Sequence, residues 1–170
     1  MAEVVLPLTP HNILDTCSLC IKFDDLHACQ VKVAWAEEIA RQTPEGILGY
    51  ITYQTGKPVG AVEVLPASVV PYPLPHKSPE IAFITCLYSL EHGLDYRGQL
   101  LDQLMKYLPG AGYREVQVIS GPLLPYPNGP SEIFMRYGFD PIEKLDRIVV
   151  SEGEDDLILM MRKLSYCLTK

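Results

Sequence analysis

The sequence predicts an α/β fold of the α+β kind, in which strands and helices share one domain. Three observations carry that reading. Two β-rich runs at 47–54 and 58–65 are separated only by Thr55-Gly56-Lys57, and a glycine there supplies the positive φ that a tight hairpin needs. The run IAFITCLY at 81–88 is apolar on both alternating faces, as a strand buried on two sides is. It leads through Tyr96-Arg97-Gly98 to Leu100, Leu101, Leu104, Met105 and Leu108, which form one stripe at helical spacing. Finally, 142–150 and 157–164 flank the acidic, glycine-containing SEGEDD and form a second hairpin.

The remaining elements follow in chain order. Thr9-Pro10 precedes a short helix that ends at Leu19. A second helix over 30–42 has Val31, Trp35 and Ile39, and also Ala34 and Glu38, at helical spacing, and Thr43-Pro44-Glu45-Gly46 ends it. The segment 66–79 holds five prolines; proline cannot join a central ladder, so this is an irregular connection over a face of the sheet. Pro109-Gly110-Ala111-Gly112 stops the leucine-rich helix. Val116 and Val118 mark another buried strand, GPLLPYPNGP at 121–130 is a rigid loop, and Ser131 is an N-cap candidate for a helix over 132–137.

Composition narrows the function. A chain of 170 residues, 48% apolar, is long enough for one domain with an ample core. Its net charge of -7 speaks against a nucleic-acid partner, because neutralising a phosphate backbone needs clustered Lys and Arg, and it suits a cationic partner. MAEVVLPLTPHN has neither a basic n-region nor a sustained apolar h-region, and no run is long enough to cross a bilayer. The expectation is a cytoplasmic protein with no membrane partner. Five cysteines are an odd and sparse set, better read as reduced thiols than as a disulfide framework.

The order of elements from Ile47 to Leu164 resembles the GNAT superfamily of N-acetyltransferases. The matching pieces are ITYQTGKPVGAVEVL, IAFITCLY followed by YRGQLLDQLMKYL, REVQVIS, IFMRYGF and DLILMMRKL. The resemblance implies a mixed, twisted sheet with helices on both faces. It also implies a split between the fourth and fifth strands, here 81–88 and 115–119, where acetyl-CoA sits as cosubstrate. The pantetheine arm would lie along Cys86, Leu87 and Tyr88, and the diphosphate at Arg97, Gly98 and Gln99, where free N–H groups, the helix dipole and a guanidinium meet an anion. The acceptor would be an amine of a small molecule or peptide. The resemblance also implies that edge strands or C-terminal hairpins can pair into a homodimer.

The chain departs from the family pattern in two places. From Arg97, the two positions where the family carries small residues fall on Leu100 and Asp102. Leucine brings a side chain where backbone should approach, and a carboxylate adds negative charge beside a diphosphate. The family's acid, a tyrosine four residues before the glycine of a Gly-Phe pair, is here Phe134, which has no proton to give.

Acyl transfer from a thioester to an amine needs a neutral amine, stabilisation of the developing oxyanion and a proton for the leaving thiolate. Glu63 is the first candidate base, since it shares a strand face with Val59, Ala61 and Leu65; the competing reading is a solvated carboxylate. Glu80, Glu91 and His92 are alternatives. Tyr137 and Tyr126 are the nearest substitutes for the acid, with Tyr88 at the end of its strand, and each competes with a packing role. Two other functions stay in view: a GNAT-like binding or regulatory module without chemistry, and a metal- or redox-responsive protein using Cys17, Cys20, His27 and Cys29. For those cysteines, ordinary reduced thiols are the preferred reading and no metal site is assigned.

Overall fold

A computed structural model describes residues 3–19, 25–89, 95–124 and 127–165. Seven strands form one sheet in the order β1-β2-β3-β4-β5-β7-β6. They are β1 (Glu3–Leu8), β2 (Gly49–Gln54), β3 (Lys57–Pro66), β4 (Ile81–Ser89), β5 (Glu115–Ser120), β6 (Asp140–Val150) and β7 (Gly153–Lys163), and among the described residues the α-helices α1 (Leu26–Ala40), α2 (Arg97–Gly110) and α3 (Ser131–Arg136) accompany them. Among the described residues only β4 and β5 run parallel; the other strand pairs are antiparallel. The sheet is therefore mixed, as expected.

Two cores lie on its two faces. On one, Val62, Val64, Ile84, Val116 and Val118 meet the leucine stripe of α2 and Phe134 of α3. On the other, Ala61, Leu65, Phe83 and Leu159 pack against Ala36 and Ile39 of α1 and the connection after β3. Alternation along β3 and β4 sends neighbouring side chains to opposite cores, which is why IAFITCLY is apolar throughout.

Local signals account for most boundaries. Thr55 and Gly56 both take positive φ, 50° and 79°, the two-residue turn whose twist matches a hairpin. After α2, the Tyr113 N–H donates to the Leu108 carbonyl and the Gly112 N–H to Pro109. With Gly112 at φ 91°, this is a Schellman ending. Pro109 sits inside the last turn rather than ending the helix.

Several expectations are corrected. The sequence reading has no strand over 3–8, whereas β1 forms there at the sheet edge beside β2, a position where Pro7 is tolerated. The first helix is a 3-10 turn over Ile13–Leu19. α1 begins at Leu26, four residues before its expected start, because the Asp25 carboxylate caps it by accepting from the Ala28 N–H. Ser131 is not a cap: its hydroxyl is buried against Ser120 Oγ at 2.8 Å, and Pro130 holds the N-cap position. No helix among the described residues is long and apolar enough to cross a membrane.

Candidate active site

The pairing of β4 with β5 stops early. Registered partners run from Ile81 with Glu115 to Ile84 with Val118, although β4 continues to Ser89 and β5 to Ser120. The cause lies on the other edge of β4. Glu63 pairs with Cys86 but Val64 with Ile84, so Thr85 is an extra residue, a bulge that bends β4 away from its parallel neighbour. A gap opens there, with the main chain of Cys86, Leu87 and Tyr88 along one side. Asn128, buried to 3%, spans the gap: its Oδ1 accepts from the Leu87 N–H at 3.1 Å and its Nδ2 donates to the Ile119 carbonyl at 2.9 Å.

The first turn of α2 stands on one face of the sheet. Its N-cap, Tyr96, makes no side-chain cap and no acidic residue follows in that turn, so the N–H groups of Gly98 and Gln99 have no acceptor inside the helix. Arg97 lies beside them but is engaged: its Nε and Nη2 donate to the two oxygens of Asp95 at 2.7 and 2.8 Å. Hydrogen bonding to Arg97 holds the Asp95 carboxyl below the usual value, against its partial burial. Gly129, at φ 89°, leaves room for the guanidinium, since a Cβ there would come within 3.0 Å of Arg97 Nη1. Gln99 turns its amide to Thr52 Oγ1 on β2, 3.3 Å away.

Leu100 does not intrude on this turn. It is fully buried in the sheet core, and Gly60 on β3 makes space for it: a Cβ at Gly60 would lie 3.0 Å from Tyr96 Cβ and 3.2 Å from Leu100 Cδ1. Asp102 is exposed. The pattern that suggested a blocked anion turn therefore reflects a helix that uses its fourth residue to pack inward.

Glu63 is neither solvated nor alone, contrary to the simpler reading of its strand. It is 4% exposed and accepts from Lys32 Nζ of α1 at 2.5 Å. Burial works against the charge on Lys32, but the Glu63 carboxylate, by its charge and its hydrogen bond, outweighs that and raises the Lys32 pKa. The pair lies on the α1 face, one strand from the bulge, where Thr85 Oγ1 donates to the Glu63 carbonyl at 3.4 Å. The Tyr88 hydroxyl donates to Cys86 Sγ at 2.9 Å.

Of the two expected acids, Tyr126 lies outside the described residues, as do Cys20, Glu91 and His92. The Tyr137 hydroxyl donates to the Gly98 carbonyl at 2.7 Å, tying α3 to the first turn of α2. Burial, and then the nearby Asp102 carboxylate, raise its pKa. Phe134 is fully buried, edge-on to Phe139. Burial and a hydrogen bond with Cys29 push the Cys17 thiol up to about 11, away from the thiolate that nucleophilic or metal chemistry needs. Among the described residues, no group of three or more His, Cys, Asp or Glu side chains comes together to hold a metal.

No family model and no curated protein sequence matches this chain; solved structures do. An N-acetyltransferase from Staphylococcus aureus Mu50 superposes at TM-score 0.70 with 14% identity, over 97% of this chain and 100% of that one. A putative acetyltransferase from Salmonella typhimurium, solved with its cofactor acetyl-CoA, gives TM-score 0.69 at 13% identity over 99% and 98%. A ribosomal-protein-alanine N-acetyltransferase from Brucella melitensis gives 0.68 at 13% over 95% and 99%. This chain has the GNAT fold.

Within that GNAT fold, the elements expected to frame the split are in place, while three residues next to them escaped sequence reasoning. Asn128 was one polar residue in a loop. Lys32 carries no local signal, because its partner is 31 residues away. Asp95 was legible: an acid two residues before an arginine at a helix start can fold back on it.

Proposed function

We propose that this protein transfers an acetyl group from acetyl-CoA to a primary amine of a small molecule or peptide. The observation that carries the proposal is the gap at Thr85, with the first turn of α2 on one face of the sheet and an apolar cavity opening on the other. Two reactants can meet there from opposite sides.

The residues present fit the acyl donor. When bound, acetyl-CoA supplies an activated thioester. Gly98 and Gln99 offer N–H groups and the positive end of the α2 dipole to a diphosphate, and Arg97 adds a guanidinium once it shares or leaves Asp95. The gap edge of β4 at Cys86, Leu87 and Tyr88 offers main-chain groups to an extended arm; the Leu87 N–H is the one that Asn128 now holds. Glu63, on the acceptor side and registered opposite Cys86, takes the proton that the amine gives up, with Lys32 keeping its carboxylate in place. Tyr137 steadies the first turn of α2 and holds a proton on that side.

A second reading, a module that binds the acyl donor without turning it over, is favoured by the burial of Phe134 and by the pairing of Arg97 with Asp95. One experiment separates the two. Acetyl-CoA is titrated calorimetrically into wild type and Arg97→Glu, and thiol release is followed with a panel of amines. Turnover that Arg97→Glu abolishes supports the transferase. Micromolar binding without thiol release from any amine supports the module, and no binding at high micromolar acetyl-CoA overturns both.

A further inference from the structure

The acceptor side of the gap has a shape and a chemistry. On the α1 face, a cavity of about 220 Å³ is walled by Tyr72, Phe83, Ile119, Ile148 and Leu157, and its inner end is formed by Thr85 and Asn128. Those last two residues define the gap, so whatever fills the cavity touches the place where β4 and β5 part. The cavity continues outward into a groove of about 590 Å³ that shares Tyr72, Ile119 and Leu157 and reaches Glu143 and Asp146.

The walls are apolar and partly aromatic. The rings of Tyr72 and Phe83 are 5.8 Å apart and inclined at 57°. Phe83 is buried, whereas Tyr72 is 42% exposed. Tyr72 stands between Pro71 and Pro73, in a connection anchored by Lys77 Nζ donating to the Val70 carbonyl at 2.6 Å. A rigid loop thus presents an aromatic ring to the cavity, an arrangement suited to a second ring. The polar groups at the inner end are engaged, Thr85 with the Glu63 carbonyl and Asn128 with Leu87 and Ile119. A peptide backbone lodged there would leave amides unpaired, at a cost.

Volume and charge complete the description. A cavity of about 150 Å³ admits a benzene ring, so the inner cavity has room for a single ring with a short linker. The Glu143 and Asp146 carboxylates at the outer end draw cations toward the groove.

Resting on the transferase reading above, we propose that the acceptor is an arylalkylamine: a primary amine on a short aliphatic linker from one aromatic ring, the ring held between Tyr72 and Leu157 and the nitrogen delivered to the gap at Thr85. The nitrogen forms the new C–N bond with the acetyl carbon as the C–S bond breaks. Coenzyme A leaves as the thiol, and the proton lost by the amine balances the one it gains.

The test uses phenethylamine, butylamine, spermidine and an alanine-terminated peptide as acceptors, with Leu157→Lys and Ile148→Trp as cavity variants. Phenethylamine should exceed butylamine in kcat/KM by about tenfold or more, as apolar pocket discrimination allows, and should exceed the other two by more. Both variants should erase that preference while leaving acetyl-CoA affinity within about twofold. Equal efficiency for all four amines, or a preference for spermidine or the peptide, overturns the proposal, as does a preference that survives both variants. Phenethylamine binding to the protein alone, followed by saturation-transfer NMR, needs no acyl donor. Failure of acetyl-CoA to bind therefore counts against the transferase reading, whereas absence of phenethylamine saturation transfer counts against this one.

Discussion

The Lys32 ammonium and the Glu63 carboxylate meet at 2.5 Å, joining α1 to the strand beside the bulge. Both are largely out of water, with side chains 22% and 6% exposed. Removing one partner strands the other charge, which in a fully buried pair costs about 3–5 kcal/mol. The partial exposure of Lys32 reduces that here, so Lys32→Met should cost about 2 kcal/mol. The double variant Lys32→Met, Glu63→Leu should recover most of the loss. Because Lys32 has its pKa raised above 10.5, the pair's contribution is complete below that value and is lost as pH rises through the raised one. Urea denaturation of the single and double variants at neutral pH checks this, and a double variant weaker than Lys32→Met would refute it.

How much of this was legible follows from the range over which each signal acts. The hairpin at Thr55-Gly56, the buried strand IAFITCLY and the leucine stripe are local patterns, and all three recur in the structure. The Gly112 ending was equally readable. The split at Thr85 was expected only through resemblance, because a bulge depends on register with β3 and leaves no mark on β4 alone. The Lys32 partnership and the Asn128 bridge join residues 31 and 41 apart, beyond any periodicity. Leu100 was misjudged for a related reason: its partner, Gly60, lies on another strand.

In the transferase reading proposed above, Asp95 competes for the Arg97 guanidinium that would meet the acyl donor's diphosphate. Asp95→Asn should therefore tighten coenzyme A binding severalfold, while Arg97→Glu should weaken it below detection. Because Arg97 holds the Asp95 carboxyl below the usual value of 3.8, the ion pair persists through ordinary acidic buffers, and the difference between wild type and Asp95→Asn should not change between neutral pH and mildly acidic pH. Calorimetric titration checks both statements. Weaker binding by Asp95→Asn would mean that the aspartate positions the arginine instead of withholding it.

Leu100→Gly restores the small residue of the family pattern, yet it should damage the protein. It empties a fully buried site and puts glycine in a helix, together about 3–5 kcal/mol. Gly60→Ala should act on the same contact from the opposite side, through a Cβ crowding Tyr96 and the Tyr88 carbonyl, at about 1–3 kcal/mol. Thermal and urea unfolding measure both. A Leu100→Gly protein as stable as wild type would show that the helix packs less tightly here than described.

Asn128 satisfies one donor and one acceptor across the gap. Asn128→Ala should cost about 2 kcal/mol through the two groups left unpaired. Asn128→Asp keeps the acceptor for Leu87 but sets a carboxylate against the Ile119 carbonyl, and should be the less stable of the two at neutral pH. Equilibrium unfolding ranks them; the reverse order would mean that the donor to Ile119 matters little.

Asp155 orders the start of the loop after β5. Its Oδ2 accepts from the Leu123 and Leu124 N–H groups at 2.8 and 2.7 Å. Desolvation works to raise its pKa, but those donors and the Asp156 N–H outweigh it and the value is lowered. Its contribution to stability is therefore present above 3.8, the unfolded value, and is lost as pH falls toward the lowered one. Asp155→Asn should lower Tm at neutral pH by a few degrees, and the gap from wild type should close as pH falls below 3.8. A gap that stays constant with pH would remove the carboxylate from the account.

The place of β7 in the sheet bears on how the chain is made. The strand latest in sequence lies between β5 and β6, so a polypeptide emerging from the ribosome cannot close its sheet until residue 163 is free. Until then β5 presents an open edge beside Val116 and Val118, and β6 has no neighbour at all. Such half-built sheets invite pairing with other chains, and the β6–β7 hairpin is the element that closes the β5 edge against them.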